Sequence, residues 1–180
     1  SKGGEGKSRI GLVLKNLMGD AVSNGSIQKV EISRFARADL ENRLLMVDDD
    51  LNMNALPKTN YIKSIVTAEA KMDVERKGIQ SYQSDIYARF LCFGNGALTA
   101  LYDHSDGFWR RQLVLTTKDR PASREDDPFL VEALSAELEG ILLWCLDGLL
   151  RLLRNGYKFT VSPKAAANLE TIKRSSNNVL

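Results

Sequence analysis

The chain has 180 residues, 43% of them hydrophobic and 27% charged, and 25 basic against 23 acidic side chains leave a formal net charge of +2. These totals fit a globular protein with one core and room for a small appended subdomain, and the charge demands no nucleic-acid partner and excludes none. Two cysteines without a CxxC spacing and a single histidine exclude the common zinc patterns, so Cys92 and Cys145 are expected as small core hydrophobes in a reducing compartment.

The first eleven residues, Ser1 to Gly11, carry the most specific signal. Gly6-Lys7-Ser8 closes a phosphate-binding loop of the form GxxxxGK(S/T), with Ser1 where the pattern has its first glycine. Glycines let backbone N–H groups curl around phosphate oxygens, the lysine adds a point charge, and the serine hydroxyl reaches Mg²⁺. A helix opening after the loop would aim its positive end at the same phosphates. No apolar strand precedes the loop, so the chain reads as an N-terminally truncated fragment. Ile10, Val13, Leu14 and Leu17 then fall on one helical face, which Gly19-Asp20 ends.

Val22 to Gln28 reads as a polar linker, Lys29 to Ile32 as a short alternating strand, and Phe35 to Asn42 as a short helix or turn. Arg43 to Val47 followed by Asp48-Asp49-Asp50 reads as a buried central strand that delivers acids to a polar site. In P-loop ATPases that is the Walker B arrangement. Asp48 is then the metal-side acid and Asp49 the residue that orients or deprotonates water, with a one-residue shift of register left open. Asn60 to Glu69 has helical spacing, and Met72 to Tyr82 suggests a hairpin with Arg76 and Lys77 near its tip.

Ala88 to Phe93 is a second buried strand, closed by Gly94-Asn95-Gly96, where Asn95 is a turn residue or holds an attacking water. Asp106 to Leu115 places Arg110-Arg111 before a third apolar strand. Paired arginines are surface charge or, in an ATPase, candidate arginine fingers. Lys118 to Pro128 is a charged linker. Phe129 to Leu153 reads as two helices or one bent near Gly140 or Gly148. Its stripe of Leu138, Ile141, Leu142, Cys145, Leu149, Leu152 and Leu153 is expected to pack on the core. Tyr157 to Val161 reads as extended, and Pro163 begins a final helix. The most apolar run, Ile141 to Leu153, is too short to span a bilayer and carries Asp147 and Arg151, so the expected protein is soluble, with no membrane partner.

Gly6-Lys7-Ser8, Asp48-Asp49-Asp50, Asn95 and Arg110-Arg111, in that order and with a hairpin between the second and third, resemble the superfamily 3 helicases. The likeness is greatest to the helicase portion of bacteriophage and plasmid primase-helicases. Gly3-Gly4-Glu5-Gly6-Lys7-Ser8, Thr67-Ala68-Glu69 with Arg76-Lys77, Phe93-Gly94-Asn95 and Phe108-Trp109-Arg110-Arg111 resemble that family's motifs, and the leucine-rich run from Glu137 resembles its later helices. Ser1 and Ala68 stand where glycines are usual, and no proline follows Asn95.

The resemblance implies an α/β, AAA+-like P-loop core over residues 1–118, a linker at 119–128 and a helical subdomain at 129–180. It also implies a homo-hexamer in the bacterial host cytoplasm or nucleoid. ATP with Mg²⁺ would be bound by Gly3, Gly4, Glu5, Gly6, Lys7 and Ser8, with Ser8 and Asp48 toward the metal. Asp49 and Asn95 would be catalytic, with Arg110 or Arg111 supplied by the neighbouring subunit, and Arg76 and Lys77 would track single-stranded or forked DNA. The function so implied is an ATP-dependent helicase in DNA replication. A non-catalytic oligomerisation module, and a small-molecule kinase, are the alternatives.

Overall fold

The structure is a computed structural model that describes residues 6–52, 54–118, 121–123 and 125–177. The first helix, α1 (Lys7–Met18), opens directly after Gly6. A short 3₁₀ turn leads to β1 (Val22–Asn24), then α2 (Ile27–Ile32), α3 (Arg34–Ala38) and β2 (Leu45–Asp48). Helix α4 (Asn60–Thr67), the hairpin β3 (Met72–Arg76) and β4 (Ile79–Ser84), β5 (Arg89–Cys92) and α5 (Asp106–Trp109) follow. The chain closes with α6 (Leu130–Ser135), α7 (Leu138–Arg154) and α8 (Pro163–Asn177). The fold is mixed α/β.

Three strands form a parallel sheet in the order β1-β2-β5, so the acid-ended strand is central, as its unbroken apolar run predicts. Side chains alternate across it. Met46, Phe90 and Cys92 face the main core with Ile27, Val30, Leu40, Ile65, Phe108 and Trp109, whereas Val47, Leu91 and Phe93 face the side that holds Met18 of α1. Gly11 is where α1 comes closest: a Cβ there would lie 3.0 Å from a methyl of Val47 and 3.2 Å from the Phe93 ring. A side chain there would require Val47 or Phe93 to give by a few tenths of an ångström, so glycine lets the helix sit this near the sheet without adjustment.

Two expectations fail before β2. Val22 to Asn24 is an edge strand, because Val22 is buried and its neighbour Leu44 donates to the Ala21 carbonyl at 2.8 Å. Lys29 to Ile32 belongs to a helix, not a strand. Ile27, Val30 and Glu31 are buried at three- and four-residue spacing while Ile32 stays 71% exposed, so the alternation of Val30 and Ile32 was incidental.

Two more expectations fail after β5. Leu113 to Leu115 forms no strand; Leu113 and Leu115 are half or more exposed. The stripe on the long C-terminal helix does not sink into the core. The break falls at Ala136-Glu137, and α7 has no buried residue among those described. Helix α8 does return to the core, through Ala165, Leu169 and Ile172. No helix among the described residues is long and apolar enough to cross a membrane.

The hairpin forms as expected, with Gly78 at φ +78° supplying the left-handed turn residue. It is anchored below its tip. Glu41 accepts from Ser84 Oγ at 2.6 Å, from the Tyr82 hydroxyl and from Arg76 Nη2 at 3.0 Å. Those bonds, the Ser84 one foremost, hold the Glu41 carboxyl below its ordinary range.

Candidate nucleotide site at the carboxyl edge of the sheet

Direction of the chain decides what meets at this edge. Three residues connect the end of α1 to Val22, and Val22 pairs with Leu45 at the start of β2. The C-terminus of α1 therefore lies at the amino edge of the sheet. A helix of twelve residues is about 18 Å long, enough to carry its N-terminus past the carboxyl edge. Gly11, near that end, lies on Val47 and Phe93, the last apolar residues of β2 and the β5 segment. Lys7 and Ser8 thus open α1 at the edge where Asp48, Asp49 and Asn95 leave their strands.

Gly6 sits in the left-handed region at φ 80°, which an L side chain rarely adopts, and turns the chain into the helix. Ser8 is exposed in the first turn. Gly3, Gly4 and Glu5 lie outside the described residues.

Asp48 is buried, 4% exposed, at the end of the central strand. One carboxylate oxygen, Oδ2, accepts the Ile27 N–H at 2.8 Å and so caps α2. Asp49 and Asp50 are exposed and turn toward the next strand, where Leu51 N–H donates to Phe93 O at 2.8 Å. That bond sets the acidic turn beside Gly94 and Asn95. Next to Asp48 on β5, Cys92 is inert: burial, then the Asp48 charge, pushes its thiol up to about 12.

The other candidates lie apart from this edge. Phe108 and Trp109, both 3% exposed with ring centroids 5.1 Å apart, fix α5 in the core on the sheet face opposite α1. Arg111 folds back, its Nη1 donating to Gly107 O at 2.5 Å, while Arg110 is exposed. Arg76 is tied to Glu41 and to the Ala38 carbonyl (2.9 Å), and Lys77 stands exposed at the tip. Among the described residues, no group of three or more His, Cys, Asp or Glu side chains is arranged to hold a metal ion.

Sequence reasoning missed three polar features. Buried Glu31 accepts from the N–H groups of Tyr61 (3.3 Å) and Ile62 (3.0 Å) and caps α4, and the buried Arg37 guanidinium lies 3.7 Å from the Tyr61 ring centroid. No pattern flags a helix cap 30 residues distant. A cavity of about 290 Å³ beside β1 is lined by Ser23, Asn24 and Ser26, from the stretch read as a linker, together with Lys29 and Asp39.

Third, Asp103 accepts from Lys63 Nζ (2.6 Å), the Ser105 hydroxyl and N–H, and Thr59 Oγ1. Burial alone would raise the Asp103 carboxyl, but the bonds from Lys63, Ser105 and Thr59 outweigh it and hold it well below the usual carboxylate range. Because the folded value is depressed, this contribution is fully present above the ordinary pKa near 4 and is lost as pH falls further. Asp103→Asn is expected to cost about 1–3 kcal/mol at pH 7. Denaturant melts from pH 7 down to pH 2 should show the gap from wild type closing only below pH 4; a gap constant with pH would assign the loss to packing.

Solved structures similar to the chain include two of the NrS-1 C-terminal region. The A form apo structure of the NrS-1 C-terminal region aligns over 92% of this chain and 39% of its own, at 16% identity and a TM-score of 0.55. The apo structure of the NrS-1 C-terminal region 305–718 aligns over 99% and 42%, at 12% identity and the same TM-score. At such identity the likeness is one of fold, and this chain spans about two fifths of the length of those structures. No curated protein sequence matches it. A family profile matches residues 1–111, the stretch that holds α1, the sheet and both arginines, and so the chain belongs to the family of unknown function DUF5906.

Proposed function

We propose that this chain is the ATP-hydrolysing motor domain of a replicative DNA helicase, of the kind joined to a primase in phage and plasmid replication proteins, working as a homo-hexamer in the host cytoplasm. One observation carries the reading. The helix that follows Gly6 begins at the carboxyl edge of a parallel sheet, beside the acids of the central strand and the asparagine after its neighbour. Open parallel sheets take ligands at that edge, and a helix N-terminus there favours phosphate.

In this reading Gly3, Gly4, Glu5, Gly6, Lys7 and Ser8 hold the phosphates of ATP. A hydroxyl and a carboxylate are the hard oxygen donors that Mg²⁺ takes, so Ser8 and Asp48 suit it, and the ion would supply charge neutralisation on the phosphates. Asp48 accepts the Ile27 N–H with Oδ2, which fixes the side chain, and Oδ1 is the oxygen this reading assigns to the metal. Asp49, exposed on the turn beside Asn95, orients or deprotonates the attacking water, and Asn95 positions it. Arg110 and Arg111 ride on the opposite face from α1, which suits a finger offered to a neighbouring subunit rather than to their own.

The hairpin tip is the part assigned to single-stranded or forked DNA. Lys77 is the free end of that lever and Arg76 its tether to Glu41, so the two should separate on mutation. Lys77→Ala in the full-length protein is expected to lower unwinding of a forked duplex at least fivefold while basal ATP turnover stays within twofold. Arg76→Ala should in addition lower the melting temperature. Equal loss of turnover and unwinding in Lys77→Ala would make the tip structural.

A second reading, a non-catalytic interaction module, is favoured by the long apolar helix left uncovered. Binding of ATP with Mg²⁺ by the full-length protein at micromolar affinity would reject it.

A further inference from the structure

Helix α7 carries two apolar seams, and among the described residues only one is turned toward the domain. Leu138, Ile141, Cys145, Gly148 and Leu152 recur at three- and four-residue spacing and are the half-buried residues of the helix, turned toward the domain. About a quarter-turn to a third of a turn round the helix, Leu142, Leu146, Leu149 and Leu153 repeat the same spacing. These four are 44–48% exposed, and Leu150 (46%) and Leu143 (64%) widen the stripe. A 4-3-4 leucine repeat is the pattern by which one helix seats against another.

We propose that this outer seam pairs antiparallel with α7 of a second copy of the chain. Charge distribution along the helix selects both occupant and direction. Glu137 and Glu139 stand at its N-terminal end, and Arg151, Arg154 and Lys158 at or beyond its C-terminal end. Two copies in parallel would set like charges side by side; antiparallel copies set each acidic end against the other's basic end. In the antiparallel register Leu142 faces Leu153, Leu146 faces Leu149, and Glu139 lies within a turn of the partner's Arg154.

The area agrees. The exposed parts of the six leucines come to roughly 500–600 Å² per copy, so a pair covers about 1,000–1,200 Å², where specific interfaces begin. The contact is isologous and closes on two copies, so it is separate from any ring interface and does not rest on ATP hydrolysis.

The test uses the full-length protein and its mass by light scattering over a concentration series. Leu146→Glu with Leu149→Glu should halve the assembly mass and raise the dissociation constant at least tenfold without lowering the melting temperature. Glu139→Arg should weaken pairing and Glu139→Arg with Arg154→Glu restore it. Direction is read by oxidising variants in a background lacking Cys92 and Cys145. Leu142→Cys protein mixed with Leu153→Cys protein should give disulfide-linked pairs, and Leu142→Cys alone should not. A monomer at every concentration, an assembly indifferent to the leucine changes, or cross-linking of Leu142→Cys to itself would each overturn the proposal. Hydrogen-exchange protection of α7 in a monomer would then mark cover by the protein's own chain, and binding to anionic vesicles a lipid surface.

Discussion

Lys7→Ala in the full-length protein is expected to lower ATP turnover at least about 100-fold, the scale on which one preformed charge at a phosphoryl group acts. The physical reason is position. Lys7 is the first residue of α1, and α1 runs from the carboxyl edge of the sheet to its amino edge, so this cation and the helix N-terminus converge on one place. The fold is expected to survive loss of the ammonium, because Gly11, Val13 and Met18 seat α1 on the sheet farther along. Wild-type folding by circular dichroism with lost turnover is the expected pair of results. Turnover within threefold of wild type would remove the loop from the mechanism.

The second large effect belongs to Arg110. Its exposed guanidinium extends from an α5 pinned by two buried aromatic rings, whereas Arg111 is folded back onto the Gly107 carbonyl. Arg110→Ala should therefore reduce turnover about 10³-fold or more, as loss of an arginine finger does, with Arg111→Ala reducing it less. Mixing makes the prediction sharper. Arg110→Ala and Lys7→Ala subunits are each inactive, yet in a randomly mixed ring about a quarter of the junctions join an intact Lys7 to an intact Arg110, because a heterologous interface takes one residue from each side. Recovery near that fraction is expected. No recovery would place the arginine in its own subunit's site, and full turnover by Arg110→Ala alone would place it outside catalysis.

How much of this was legible depended on how local each signal was. Local patterns were readable: the run Leu45 to Val47 ending in acids marks the central strand, the apolar run Ala88 to Phe93 its partner, and the alternation either side of Gly78 the hairpin. Val22 to Asn24 is three residues long, and only pairing with Leu45 to Val47 makes it a strand. Lys29 to Ile32 reads as a strand because Val30 and Ile32 alternate, but burial follows Val30 and Glu31, three and four residues after Ile27, and leaves Ile32 exposed. The cap of Asp48 on α2 explains why that segment coils: a buried carboxylate across the sheet rewards a helix N-terminus at Ile27. At the site, residue types were readable, but the edge on which they meet follows from the direction of α1, which no single motif contains. The apolar stripe of α7 was readable as a helix but not as an uncovered one, because amphipathic pattern says that a face seeks burial and not which surface supplies it.

The central claim is that the carboxyl edge of the sheet turns over a nucleotide in concert with DNA. ATP hydrolysis by the full-length protein, measured with and without single-stranded DNA and beside Asp49→Asn, tests it most directly. The predicted result is turnover that rises severalfold with DNA and falls at least 100-fold in Asp49→Asn. Turnover that is absent, or that neither DNA nor Asp49→Asn changes, would contradict it.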